Sequence, residues 1–463
     1  MVQRKIGPGR ADLRIPINSR SVALELLNKV TNDDSYANLV MPALLDAAKL
    51  EKRDAAFAQE LAFSTLRWQL TYDAILDSVS SRPVLEIDAT LLNALRLGCH
   101  QLLQMRVPAH AALNETVQLI RHACGERMVG FANGLLRRVS EKSLDQWLDL
   151  IESKAKTDVE RLSLRYSHPQ WIVRALQQSL QSDGRPEDID DLLRINNVPA
   201  LVNLVSLPGL SNRDDFTDVS ESENRYSPFG FTLESGNPAD LVEIKKGSVR
   251  VQDEGSQLAA LALASFREIE SGENWLDMCA GPGGKAALLA AIAEIEGVAL
   301  TANEVQPHRA ELVRKALKSF PAVDVTVKDG REFANEAKRY DRILVDAPCT
   351  GLGALRRRPE ARWRKAAEDL KTLTDLQFEL ISSAYEALKP GGLLLYVTCS
   401  PHLSETTAII EKASRKLGAT VLDLTTAMNN RFMAGTLPVN RKTIQLFTQR
   451  DNTDCMFMAM LTK

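Results

Sequence analysis

The sequence has little of what marks a secreted or membrane protein. Its 463 residues include six cysteines, Cys99, Cys124, Cys279, Cys349, Cys399 and Cys455. No two have C-x-x-C spacing and the six histidines are scattered. Neither a disulfide framework nor a structural metal site is therefore expected. No run of about 18 apolar residues is present, which argues against a membrane-spanning helix. The first residues, MVQRKIGPGR, are polar and lack the apolar core of a secretory leader. Repeats and low-complexity segments are also missing. Nor is there an excess of positive charge: 57 Lys and Arg face 60 Asp and Glu, a net charge of -3 at pH 7. Any nucleic acid would have to be held by local patches rather than by bulk charge. Together these absences predict a reduced, cytoplasmic protein, with no membrane or metal partner.

What is there is ordinary globular material, 44% hydrophobic and 25% charged. That suffices for more than one core, and the length suggests two to four domains. Residues 1–16 hold Gly, Pro and basic residues without periodicity and read as a mobile tail. From 17 to 142 the pattern is helical, with apolar faces over 20–30, 54–78, 89–105, 111–123 and 128–139. Asp88 reads as an N-cap, and Leu92, Leu95, Cys99 and Leu102 recur at spacings of three and four along one buried face. Residues 143–252 read as a helical linker, with Pro169 and Trp171 opening one helix, followed by a small α+β insert with strands near 201–207 and 248–251. From 253 to 463 strands alternate with helices, the signature of a doubly wound α/β sheet. Strands are predicted at 274–278, 299–303, 324–327, 342–345, 392–398 and 456–461, and helices at 258–268, 284–295, 307–319 and 369–388.

Chemistry concentrates at the strand ends of this last region. The first predicted strand runs into Cys279, Ala280, Gly281, Pro282, Gly283, Gly284 and Lys285, which open a helix. Such glycines permit a tight turn and close backbone approach to a ligand at a helix N-terminus. Glu304 ends the next strand, about 20 residues after the last glycine, where a carboxylate can accept from both ribose hydroxyls. Asp329 follows the third strand, within reach of an adenine amino group. The fourth strand delivers Asp346, Ala347, Pro348 and Cys349, and the fifth Thr398, Cys399 and Ser400. Two thiols and an acid at the carboxyl edge of one sheet suggest covalent chemistry. The run Arg356, Arg357, Arg358, Arg362, Trp363, Arg364 suits phosphate contact and base stacking.

The trio DMCAGPGGK, DAPCTGLG and TCSPH resembles the RNA cytosine-C5 methyltransferase family, over about 250–463. Residues 18–140 resemble the NusB-like RNA-binding domain, through Asn114-Glu115 and Phe131 to Leu136. RYSHPQW resembles the linker of the RsmB (Sun/Fmu) subfamily of 16S rRNA methyltransferases. Two departures are minor: CAGPGGK where many members have CAAPGGK, and Asp454-Cys455-Met456-Phe457 for a common Asp-Gly-Phe-Phe. The resemblance implies an all-α NusB-like domain, an α+β insert and a Rossmann-like class I methyltransferase domain. It implies S-adenosylmethionine held by Cys279–Lys285, Glu304, Asp329 and Asp346, with 16S rRNA as the RNA partner contacted by Pro348 and the basic run.

Cytosine C5 is a poor nucleophile until a thiolate adds at C6. Asp346 would then stabilise the ring, either protonated or by accepting from the exocyclic amine. By position either thiol could be the nucleophile. The resemblance assigns it to Cys399, with Cys349 assisting product release. Other readings are a dinucleotide-dependent oxidoreductase, a non-catalytic NusB-like RNA-binding factor, and a tRNA rather than rRNA enzyme. A monomer is expected.

Overall fold

A computed structural model of the chain describes residues 15–33, 35–336, 338–433, 436–437 and 441–463. The segment read as a tail, 1–16, lies outside these but for its last two residues. The chain divides into two units, Met1–Arg174 with Leu355–Arg364, and Ala175–Ala354 with Lys365–Lys463. The division falls inside the helix Gln170–Ser182. No disulfide links the cysteines among the described residues, and no helix there is long and apolar enough to cross a membrane.

The first unit is helical. Asn18 closes a capping box on Ser19–Asn32, and the Asp88 carboxylate accepts from the Thr90 and Leu91 amides at the start of Ala89–Leu103. Leu92, Leu95 and Cys99 from that helix are buried in the unit's core with Leu61, Leu66, Ile75 and Leu136. Two expectations change. The gap after 30 holds a further helix, Ala37–Ala48, despite Pro42 within it. The single helix expected over 54–78 is two, Lys52–Arg67 and Gln69–Val79, joined at Trp68. The cause is competition for main-chain groups. The Leu66 carbonyl accepts from the Trp363 indole and the Arg67 carbonyl from Arg362, while the Leu70 amide donates to Ser167 Oγ. Side chains inserted into the i to i−4 ladder bend a helix in this way.

The second unit begins with the insert, which has four antiparallel strands rather than two. They are β1 (Asn203–Ser206), β2 (Ser220–Glu223), β3 (Gly230–Leu233) and β4 (Val249–Val251), in the order β2-β3-β1-β4. Phe216 and Phe231 stack at 5.0 Å in its small core. The main sheet contains β5 (Asn274–Asp277), β6 (Ala299–Asn303), β7 (Asp324–Thr326), β8 (Tyr340–Asp346), β9 (Leu388–Thr398), β10 (Thr420–Val421), β11 (Ile444–Gln445) and β12 (Phe457–Thr462). Its order is β10-β12-β9-β8-β5-β6-β7, with β11 beside β12. Neighbours from β9 to β7 are parallel, whereas β12 runs antiparallel to β9. The parallel strands are near-continuous apolar runs because helices cover both faces. Glu254–Ser265 and Gly284–Glu296 enclose one core, and Asp369–Ala387 with Thr407–Leu417 the other. Strand order reverses between β5 and β8, so a crevice opens at their carboxyl ends.

Candidate active site

The loop after β5 is held against its neighbours by main-chain bonds. Met278 N–H donates to Leu344 O and Ala280 N–H to Asn303 O, at 2.9 and 2.7 Å. Gly283 has φ +108 and a Cβ there would run into Ala316. A Cβ on Gly281 would overlap the Glu304 carboxylate, so the backbone of the loop lies directly on that acid. Glu304 is buried at 3% exposure, accepts from the Gln306 amide and pairs with Arg309 at 3.3 Å. Asp329 caps the following turn through Arg331 N–H and forms an ion pair with Arg331 at 2.7 Å, its carboxyl held below the usual range by those bonds.

Lys285, at the first turn of its helix, points inward rather than into solvent. Its ammonium lies 2.8 Å from Asp346 Oδ2 and 3.1 Å from Ser256 Oγ. Burial works against the charge, but Asp346, with Cys399 and Asp277 adding, raises Lys285 above the ordinary lysine range. Asp277, the last residue of β5, is buried, and its oxygens meet no donor in good hydrogen-bond geometry. Burial, then the Asp346 charge, pushes its carboxyl up to about 8. Burial, then Asp277, likewise keeps Cys279 a thiol.

The two remaining strand-end cysteines meet. Asp346 on β8 is in register with Val397 on β9, and the loops beyond bring Cys349 Sγ to 3.4 Å from Cys399 Sγ. The hydrogen bond with Cys399, then burial, holds the Cys349 thiol well above the ordinary range. Gly353 N–H donates to Cys399 O and Cys455 N–H to Gly353 O, both at 2.9 Å. A side chain on Gly353 would strike the Cys455 carbonyl. Pro348 is exposed beside this centre.

Sequence reasoning missed Glu405, Gln377 and Ser256. Glu405 accepts from Thr350 N–H at 2.9 Å, Thr350 Oγ1–H at 2.6 Å and Gln377 Nε2–H at 3.1 Å. The only available signal was its place just after TCSPH, in a turn where acids are commonplace.

The structure places most of the basic run against the helical unit. Arg356 and Arg362 are buried at 4% and 0% exposure. Arg362 donates to the carbonyls of Arg67 and Ser167 at 2.9 and 3.1 Å, and the Trp363 indole to Leu66 O at 3.0 Å. Arg364 bonds Ser35 O and lies over the Tyr36 ring at 4.4 Å. Burial, then Arg67, holds Arg362 well below its usual range. Arg362, Trp363 and Arg364 satisfy main-chain carbonyls of the helical unit. Arg357 is half-buried and Arg358 exposed.

A mostly parallel sheet closed by the antiparallel β12, with its glycine loop and strand-end acids at the switch point, has the Rossmann-like form of the S-adenosylmethionine-dependent methyltransferases. Comparison then gives the family. Residues 264–462 match the model of 16S rRNA methyltransferase RsmB/F, and residues 17–141 match the NusB family. The chain is 39% identical to Rv1407 of Mycobacterium tuberculosis, a methyltransferase by name, over 100% of both proteins. It is 32% identical to ribosomal RNA small subunit methyltransferase B of Pseudomonas putida, over 96% of this chain and 99% of that one. The chain therefore belongs to the RsmB/F methyltransferase family. Among solved structures, PH0851 superposes with TM-score 0.78 at 21% identity, covering 96% of this chain and 99% of that one. NSun6 from Pyrococcus horikoshii superposes with TM-score 0.53 at 16% identity, covering 63% and 98%. At those identities the two structures speak to fold alone.

Proposed function

We propose that this methyltransferase acts on carbon 5 of a cytosine in RNA, small-subunit 16S rRNA above all, through a covalent adduct with Cys399. The observation that carries the reading is the pair of thiols 3.4 Å apart at adjoining strand ends beside the Lys285–Asp346 ion pair. The names of the relatives support rRNA as the substrate, and we place the reaction in the cytoplasm with a monomeric enzyme.

S-adenosylmethionine, when bound, supplies an electrophilic methyl group. The Cys279–Lys285 loop, Glu304, Asp329 and Asp346 would hold it. Asp277, buried beside the loop and short of donors, suits its cationic amino-acid end. Cys399 adds through its thiolate to cytosine C6, and Lys285 favours that thiolate by its charge. Cys349 retains its proton and leaves Cys399 as the nucleophile. Asp346 faces the ring as electron density moves toward C5, which takes the methyl group. A water takes the C5 proton, the C5–H electron pair forms the C5–C6 double bond, and the C6–S bond breaks with its pair returning to Cys399. Cys349 assists that release. The base must be unstacked to be reached, so Pro348, exposed beside the centre, and Arg358, exposed on the helical unit, are proposed RNA contacts.

The test is trapping on a denaturing gel with 16S rRNA and labelled S-adenosylmethionine. Cys349→Ala is expected to accumulate a protein–RNA adduct, and Cys399→Ala to form none and transfer no methyl group. An adduct in Cys399→Ala would exchange the two roles.

A further inference from the structure

Glu405 has no solvent access, and the donors that reach it among the described residues, Thr350 and Gln377, are neutral. A carboxylate is costly to bury without a cation, and a fold has little reason to keep one where an amide would fit. Its placement gives the reason. Glu405 lies in the short turn that follows Cys399, yet it grips the loop that carries Cys349. Its two oxygens take both the amide and the hydroxyl of Thr350, the residue next to Cys349. Gln377, held by the same carboxylate, donates at 2.9 Å to Pro348 O on the other side of Cys349. Both peptides flanking Cys349 are thereby fixed. Thr350 Oγ1 also lies 3.0 Å from Ser400 Oγ, next to Cys399, and Tyr396 fixes the Glu405 carbonyl from β9. Cys399 directly follows β9 and its own carbonyl is held by Gly353 N–H, not by Glu405.

We propose that Glu405 is a positioning residue, a clasp from the turn after Cys399 that sets Cys349 against the nucleophile for product release. This rests on the roles given above to the two thiols. It makes a prediction that a merely stabilising acid would not: loosening the clasp affects release and spares addition. Glu405→Gln keeps the shape but turns an amino group toward donors. Thr350→Val removes one hydroxyl and leaves the carboxylate intact, so it carries the test should Glu405→Gln not fold.

The full-length variants are compared with wild type and Cys349→Ala, using labelled S-adenosylmethionine and 16S rRNA. Adduct, single-turnover methyl transfer, steady-state rate and melting temperature are measured. We expect adduct to rise by about tenfold or more over wild type and steady-state turnover to fall by a similar factor. Single-turnover transfer should stay within about threefold. Wild-type adduct and turnover with only a lower melting temperature would overturn the proposal. So would loss of single-turnover transfer in folded protein, which would tie Glu405 to the nucleophile instead. Adduct in Cys349→Ala alone overturns the role of Glu405 and leaves the covalent reading standing. No adduct in Cys349→Ala removes both.

Discussion

At the scale of single residues, the site is governed by which charges lack partners. An unfolded Asp277 loses its proton near 3.8, whereas the folded one keeps it to about 8. Between those values the native protein binds more protons than the unfolded chain, so Asp277 lowers stability as pH rises through the window. Asp277→Asn should therefore melt higher than wild type at pH 8 and gain little at pH 4, as scanning calorimetry of the cofactor-free protein would show. The same variant should bind S-adenosylmethionine at least about tenfold more weakly by titration calorimetry above pH 8, where the wild-type carboxylate is charged and the amide is not. Lys285 has the opposite role. Lys285→Met takes away the cation between Asp346 and the thiols, and the acidic limb of the pH–rate profile should move to higher pH, because Cys399 then needs more alkaline solution to ionise. An unmoved limb would mean that Lys285 acts on Asp346 alone.

At the scale of elements, the basic run and the bent helix explain each other. Arg362 is a structural donor, so Arg362→Ala should cost about 2–4 kcal/mol by thermal or urea melting, the price of leaving buried carbonyls unmet. Arg358→Ala should leave stability unchanged, and filter binding at low salt should show its RNA affinity reduced by a few-fold. This is also where the sequence misled. A run of arginines looks the same whether it faces solvent or a row of helix carbonyls, and the deciding partners, Leu66, Arg67 and Ser167, lie far away in the chain. The bend at Trp68 was invisible for the same reason, since residues 54–78 keep one helical period throughout. The two extra insert strands are only four residues each, and β2 reads SESE with no apolar alternation. By contrast β5, β6, β8 and β9 were legible, because strands covered on both faces must be apolar throughout and the chemistry begins where they stop. The Cys349 and Cys399 motifs could be read singly, but their contact depends on β8 and β9 being neighbours, which no local pattern encodes. Glu405 was hidden because its partners, Thr350 and Gln377, belong to other elements.

At the scale of the molecule, every residue assigned to the cofactor or the thiol centre belongs to the unit that carries the main sheet. S-adenosylmethionine at about 100 times its dissociation constant should stabilise that unit by about 2.7 kcal/mol. Hydrogen exchange should slow across 276–304 and 344–350, with no matching change in Ala89–Leu103. Protection spread evenly over both units would contradict the assignment of the site.

The antiparallel strand β12 adds a constraint of timing. Phe457 is in register with Thr398, and Cys455 N–H bonds the Gly353 that in turn holds Cys399. A nascent chain still short of residue 455 already contains the glycine loop, both thiols and Asp346, but lacks the Cys455 amide that anchors Gly353 behind Cys399. A product truncated before β12 would carry the full set of catalytic groups without that anchor, and its methyl transfer, read with labelled S-adenosylmethionine, is expected to be impaired.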